Sequence, residues 1–507
     1  MRERPRGSKN ARPGRRPHAP RSRRPRAVYR RRRLGALVLL LALCATGWSL
    51  LAPSEQPREA RKVTYRKVPH SKLTSARSHP ASYHIEARYT TTPPTISGRQ
   101  RVRYVNAEGE PLRHLYFRLW TNEKTYTGRG GGTKISRVEV DGVESRFSVR
   151  GTRLEVNLPS PLPAGRMADV SLRFRTRIPE IAAPFGYHSG TSQLGVWYPV
   201  LAVYDRGRGG WILPPPTRFG EPYFAEAADY RVSLTLPKDL TVAAAGTTTG
   251  KRNEKASKTM TYEAHDVRDF ALAIGKDLYS KTGRVGNTTV RVYYRPGYAA
   301  RADLALDLAE RSLGFFSRTF TPYPYRRLTI VDAPLIAGTE FSTITFVNLE
   351  TTPNYLFDSV IPHEVAHQWW YAQVGSNQFR EPWLDESLAT YSEWLFSGDA
   401  ATRFPGQLHP SIPLGSPVNA FPDDATYQRV TYRYGAQTYR ALSRKIGEKT
   451  LLRGLKTYAR RYRYRTATSE DLVRTLSQSA GEDLTPFFAA HGVDTCQGPS
   501  PKHEKKR

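Results

Sequence analysis

From Tyr83 onward the chain alternates apolar and polar positions, and that alternation predicts strands. Tyr83-His84-Ile85-Glu86-Ala87-Arg88-Tyr89 and Gln100-Arg101-Val102-Arg103-Tyr104-Val105 both have period two. Further strands are expected at 115–119, 135–140, 154–158 and 170–174, with Asp141-Gly142 and Pro163-Ala164-Gly165 as turns. Three more are expected at 230–236, 259–264 and 270–274. Short strands repeating in this way imply a β-sandwich-like domain. Near Thr288 the pattern changes. Residues 290–294 and 328–331 read as strands, and 302–320 reads as a long helix with Leu304, Leu308, Leu313 and Phe316 on its apolar face. Helices then dominate to about Phe488, and 406–424 is a Pro-rich loop expected near a cleft mouth. The expected fold class is α+β, with an N-terminal all-β, sandwich- or saddle-like domain at 81–285 and a mainly helical domain at 286–492.

The segments outside these domains differ in composition. Residues 1–33 carry fifteen Lys/Arg and one acid among Pro, Ser and Gly, so a disordered tail is expected. Residues 34–52 are nineteen residues without a charge, long enough to span a bilayer. The positive charge ahead of them predicts a cytoplasmic N-terminus and a single-pass anchor at the cell membrane, with the rest extracytoplasmic. The rival, a cleaved signal peptide, lacks a clear small-x-small site, and Pro53 follows Ala52 directly. Residues 53–80 read as a polar linker and 493–507 as a polar tail.

The net charge of +33 raises the question of nucleic acid. Tyr29 alone interleaves with the arginines of the tail, which leaves little to stack on bases. Nucleic acid is therefore not an expected partner, and attraction to anionic lipid is the simpler reading. The two cysteines, Cys44 and Cys496, lie outside both domains, so no bridge within a domain core is expected. Oligomeric state is left open.

The chemistry concentrates at His363-Glu364-Val365-Ala366-His367, followed nineteen residues later by Glu386 in Trp383-Leu384-Asp385-Glu386-Ser387. Residues four apart lie on one helix face, so His363 and His367 can aim both imidazoles at one ion. Glu364 then reaches the same cleft as a general base on a metal-bound water. A catalytic zinc takes three protein ligands and keeps one open position, and Glu386 on a second helix supplies the third ligand. One Zn2+ per chain is expected. Apolar Val360-Ile361, Val365-Ala366 and Trp369-Trp370-Tyr371 beside the histidines suit a buried helix face. Glu393 lies seven residues after Glu386 on the same face and is expected to be solvated rather than a partner of a ligand.

The run from His363 through Gln368-Trp369-Trp370, followed by Trp383-Leu384-Asp385-Glu386, resembles the aminopeptidase N family of gluzincin zinc metallopeptidases. The resemblance extends from about Ser82 to about Gly492. It includes Gly220-Glu221-Pro222, Ala228-Asp229-Tyr230, Pro322-Tyr323-Pro324-Tyr325, and the stretch from Leu455-Lys456-Thr457-Tyr458 through Pro486-Phe487-Phe488. It implies that the 286–492 domain is thermolysin-like, that the β domain walls one side of the cleft, and that the chain is a short form lacking the family's C-terminal helical domain. Tyr432-Arg433-Tyr434-Gly435-Ala436 is similar to a family segment whose tyrosine donates to the oxyanion, with Tyr434 where the family has lysine. Ala337-Gly338-Thr339-Glu340-Phe341 is similar to the family's substrate strand, which implies substrate-binding roles for Gly338 and Glu340. In the family that glutamate holds the substrate's free α-amine, a charge-assisted pairing.

The resemblance thus implies a zinc aminopeptidase acting on peptides with a free N-terminus. A zinc endopeptidase with the same site chemistry is the alternative, and a non-catalytic membrane-anchored binding protein a more distant one. The preferred N-terminal residue and the physiological substrate are not legible.

Overall fold

The computed structural model describes residues 63–67, 79–107, 109–205, 207, 209–220, 223–335, 338–398 and 408–495. The tail expected at 1–33, the anchor at 34–52, Cys44, Cys496, Ala337, Glu221 and Pro222 lie outside the described residues. Among the described residues, no helix is long and apolar enough to cross a membrane.

Period-two burial builds the N-terminal half. Among the described residues, nine strands form its largest sheet, with Ala81–Thr91, Pro94–Val105 and Arg166–Arg177 at its centre. Pairing is antiparallel except where Ala228–Pro237 runs parallel to Ala81–Thr91. In Ala81–Thr91 the buried positions alternate with exposed ones, placing Tyr83, Ile85, Ala87 and Tyr89 inward. Two four-stranded sheets, one around Leu112–Arg118 and Arg153–Leu162, the other around Thr191–Leu194 and Leu272–Gly275, share the same apolar core. The Asp141-Gly142 turn has positive φ at both residues, 48° and 79°, which joins Gly132–Val140 to Val143–Glu144.

The segment expected as an unpatterned linker is partly structured. Arg66–Lys67 pairs with Met167 and Arg166, Tyr65 is buried, and its hydroxyl donates to Ser160 O at 2.7 Å. One aromatic residue in a polar run is too short a signal for periodicity to detect.

A five-stranded mixed sheet follows: Tyr279–Val285, Thr288–Tyr294, Arg327–Asp332, Ile344–Val347 and, at its edge, Gly338–Phe341. The first two strands form a hairpin, so position 285/286 falls inside one unit of structure. This sheet stands between two cores. Val331, Phe341, Ile344 and Phe346 pack into the β-domain core, while Val290, Val292, Leu328 and Ile330 pack into the helical one. Because successive side chains alternate faces, Gly338 and Glu340 lie opposite Phe341, toward the helices.

The helix Ala299–Thr319 buries Ala302, Ala305, Leu308, Ala309, Leu313 and Phe316. Leu304, expected on that face, is exposed at 39%. The buried stripe runs through small alanines that the apolar count passed over. Buried Arg268 joins the two halves, donating to the carbonyls of Ala225 (3.0 Å), Tyr371 (2.6 Å) and Arg465 (2.8 Å). A guanidinium with its donors spent on carbonyls is satisfied without a carboxylate partner.

Candidate active site

Two helices carry the motif. Asn354–Ala366 packs Ile361, Val365 and Ala366 into the helical core, which turns His363 the other way. His367 occupies the residue that caps this helix, still one turn beyond His363. Trp383–Ser397 starts after Pro382 and ends at Gly398, whose φ of 68° provides a left-handed stop. Asp385 and Glu386 sit in its first turn, where the helix dipole favours anions.

The three expected ligand atoms converge. His363 Nε2 and His367 Nε2 lie 3.1 Å apart, and Glu386 Oε2 is 3.3 Å from the first and 3.4 Å from the second. Zinc bonds of about 2.0–2.1 Å at tetrahedral angles put ligand atoms roughly 3.3 Å apart. Glu386 Oε2 is buried and meets hydrogen-bond geometry with no group in the protein among the described residues. A buried carboxylate oxygen aimed at two imidazole nitrogens is the arrangement a divalent cation satisfies, so these residues fit zinc.

Each imidazole is held from behind. His367 Nδ1 is 2.6 Å from Asp385 Oδ1, and His363 Nδ1 is 3.8 Å from Glu393 Oε2. Ser359 Oγ also donates to Glu393. Glu393 is therefore buried beside a ligand, not solvated as the sequence suggested. The helix is buried on all sides through Trp394, so its seventh residue after Glu386 also faces inward. Carboxylates on the outer nitrogen orient the ring and raise its basicity as a ligand.

The electrostatics agree with a cation at the centre. Burial pushes the His363 imidazole down, but Glu386 and Glu393 outweigh it and carry its pKa up to about 9. Burial likewise opposes charge on His367, and Asp385 and Glu340 raise it well above the usual value. For Glu386, burial raises the carboxyl, and the two imidazoles outweigh it to hold the pKa at about 2. The carboxylates call for positive charge, which a divalent ion supplies while leaving both imidazoles neutral.

Glu364 stands beside this triangle. Its carboxyl is raised by burial, against the lowering influence of the two imidazoles, and Thr345 Oγ1 donates to its Oε2 at 3.1 Å. Thr345 is the cross-strand partner of Glu340, so both face the same side. A Cβ on Gly338 would lie 2.1 Å from Glu364 Oε1, and glycine is what lets the edge strand approach the carboxylate. Glu340 is buried, and its carboxylate, a ligand atom of His367 and that of Asp385 lie within 4.8 Å of one another. Gln378 Nε2 bridges Glu340 Oε1 at 3.2 Å and Asp385 Oδ2 at 2.8 Å.

Tyr432 arrives from a third element. Arg429–Tyr434 is a π-helical turn, and such wide turns recur at functional sites. Its hydroxyl donates to Glu386 Oε1 at 2.6 Å, and its ring stacks on His363 at 5.6 Å and 13°. Gly435 brings this turn against the ligand helix, since a Cβ there would fall 1.8 Å from Ser387 Oγ. The structure thus brings His363, His367, Glu386, Glu364, Tyr432, Glu340 and Gly338 together. Asp385 and Gln378 escaped the sequence reading. Asp385 had a signal, being the residue before a ligand in the same helical turn; Gln378 lies in the segment between the helices, where no spacing rule applies.

Residues 304–491 match the model of the Peptidase family M1 domain. The chain is 26% identical over 297 residues to Aminopeptidase M1-B of Oryza sativa subsp. japonica, covering 52% of this chain and 34% of that protein. It is 27% identical over 250 residues to the mitochondrial Aminopeptidase 2 of Saccharomyces cerevisiae, covering 42% and 25%. The chain spans about a quarter to a third of the length of the curated relatives it matches. In fold it is similar to the M1 zinc metallopeptidase from Deinococcus radiodurans, at 22% identity and a TM-score of 0.61, covering 84% of this chain and 95% of that one.

Proposed function

We propose that this chain, whose residues 304–491 form a peptidase family M1 domain, is a zinc-dependent aminopeptidase that removes N-terminal residues from peptides. The triangle of His363, His367 and Glu386, with edges of 3.1–3.4 Å, carries the reading. His363, His367 and Glu386 would hold the zinc, which would supply water activation and polarisation of the scissile carbonyl. Glu364 takes the water's proton during attack and passes it to the departing amine. Tyr432 swings its phenol from Glu386 to the oxyanion that develops on the carbonyl. Glu340 pairs with the substrate's ammonium and limits cleavage to the first residue. Gly338 begins an edge strand, and an extended peptide can add beside it as one more strand.

We place the catalytic region outside the cell on a single-pass anchor at 34–52, on the strength of that uncharged run and the basic residues before it.

The test is hydrolysis of aminoacyl-arylamides and of the same compounds acetylated on the amine, with and without a chelator. Chelator-sensitive cleavage restricted to free amines is expected. Equal cleavage of blocked substrates would turn the reading to an endopeptidase.

A further inference from the structure

Gln378 is buried, in the segment between the two ligand-bearing helices. Its amide nitrogen touches two carboxylates at once, Glu340 at 3.2 Å and Asp385 at 2.8 Å. Both partners accept hydrogen bonds when ionised, so the amide must present its NH2 to them. Asp385 in turn bonds His367 Nδ1 at 2.6 Å. A continuous path therefore runs from Glu340 through Gln378 and Asp385 to a zinc ligand.

A neutral two-proton donor suits this place. Two carboxylates lie this close in a buried site, and a neutral donor between them gives each a hydrogen bond without adding a further charge. A glutamate at 378 would add a third anion. A lysine would neutralise Glu340 and occupy the position of the substrate's ammonium. Fixing Glu340 Oε1 also sets the plane of the carboxylate against which that ammonium docks.

We infer that Gln378 is a positioning residue that ties recognition of the substrate's free amine to the orientation of His367. Selectivity for unblocked N-termini and retention of zinc then depend on one side chain. This rests on the aminopeptidase reading and adds a residue to it.

The experiment compares the full-length zinc-loaded protein with Gln378→Leu and the near-isosteric Gln378→Glu. KM and kcat are measured on free-amine and acetylated arylamides, and zinc affinity against a competing chelator. For both variants we expect KM on free-amine substrates to rise about tenfold or more. The ratio of free to blocked cleavage should fall with it, and zinc affinity should weaken about 10–100-fold. If Gln378→Leu does not fold, Gln378→Glu carries the test alone. Folded variants whose KM, selectivity ratio and zinc affinity stay within twofold of the parent overturn the inference, as does a fall in kcat alone. A parent protein without free-amine preference would instead sink the aminopeptidase reading, so the two failures are distinguishable.

Discussion

The strand Arg166–Arg177 and the helix Trp383–Ser397 are both central elements, and they bury different chemistry. The strand turns Ala168, Val170, Leu172 and Phe174 inward and Arg173, Arg175 and Arg177 outward. The helix buries every residue from Trp383 through Trp394, including Asp385, Glu386 and Glu393. In the sheet, burial of apolar surface is the driving force. In the helix, charge is held inside because each group meets a partner: Asp385 meets His367 and Gln378, and Glu393 meets Ser359 and His363. Substitutions should therefore trade stability for activity in opposite ways in the two places.

The largest effect is expected at Glu364. Glu364→Gln should lower kcat by about 10²–10⁴-fold while zinc content holds and the melting temperature stays equal or rises, because a buried charge is removed. A marked loss of stability there would erase the contrast. Tyr432→Phe comes next, with kcat on free-amine arylamides expected to fall by about 10²–10³-fold at little change in KM. Leu172→Ala should do the reverse. Denaturant melts should show a loss of about 2–5 kcal/mol, with activity per folded molecule unchanged.

The smallest effect concerns the seam between the halves. Burial raises the Asp269 carboxyl to about 6, against donors from Tyr371 and Ser342. A folded pKa above the unfolded value of about 3.9 means the folded state favours the proton. That stabilisation is full below about pH 4 and is lost as pH rises through about 6. Asp269→Asn should lack this step, so the melting-temperature difference between the parent and the variant should change across that window and be flat above pH 7.

The same contrast explains what could be read from the sequence. Period-two strands were legible because each residue's face follows from its number alone, as in Tyr83 to Tyr89. The histidine pair was legible because helix geometry fixes the distance between residues four apart. Glu393 was misread as solvated because burial of a helix on all sides depends on its neighbours, not on its own pattern. Leu304 was misread because Ala302, Ala305 and Ala309, beside Leu308, Leu313 and Phe316, set the buried stripe away from it. Gln378 and Arg268 act through contacts at long sequence separation, with Glu340 and with four backbone carbonyls, and nothing local announces either.

The central claim is that His363, His367 and Glu386 hold one catalytic zinc, and metal content measured alongside activity tests it most directly. The parent protein should carry one zinc per chain, lose arylamide hydrolysis to a chelator and regain it on adding zinc. Glu386→Ala should fold, bind zinc far more weakly and stay inactive at zinc levels that restore the parent. Full zinc occupancy and undiminished hydrolysis in Glu386→Ala would contradict the account.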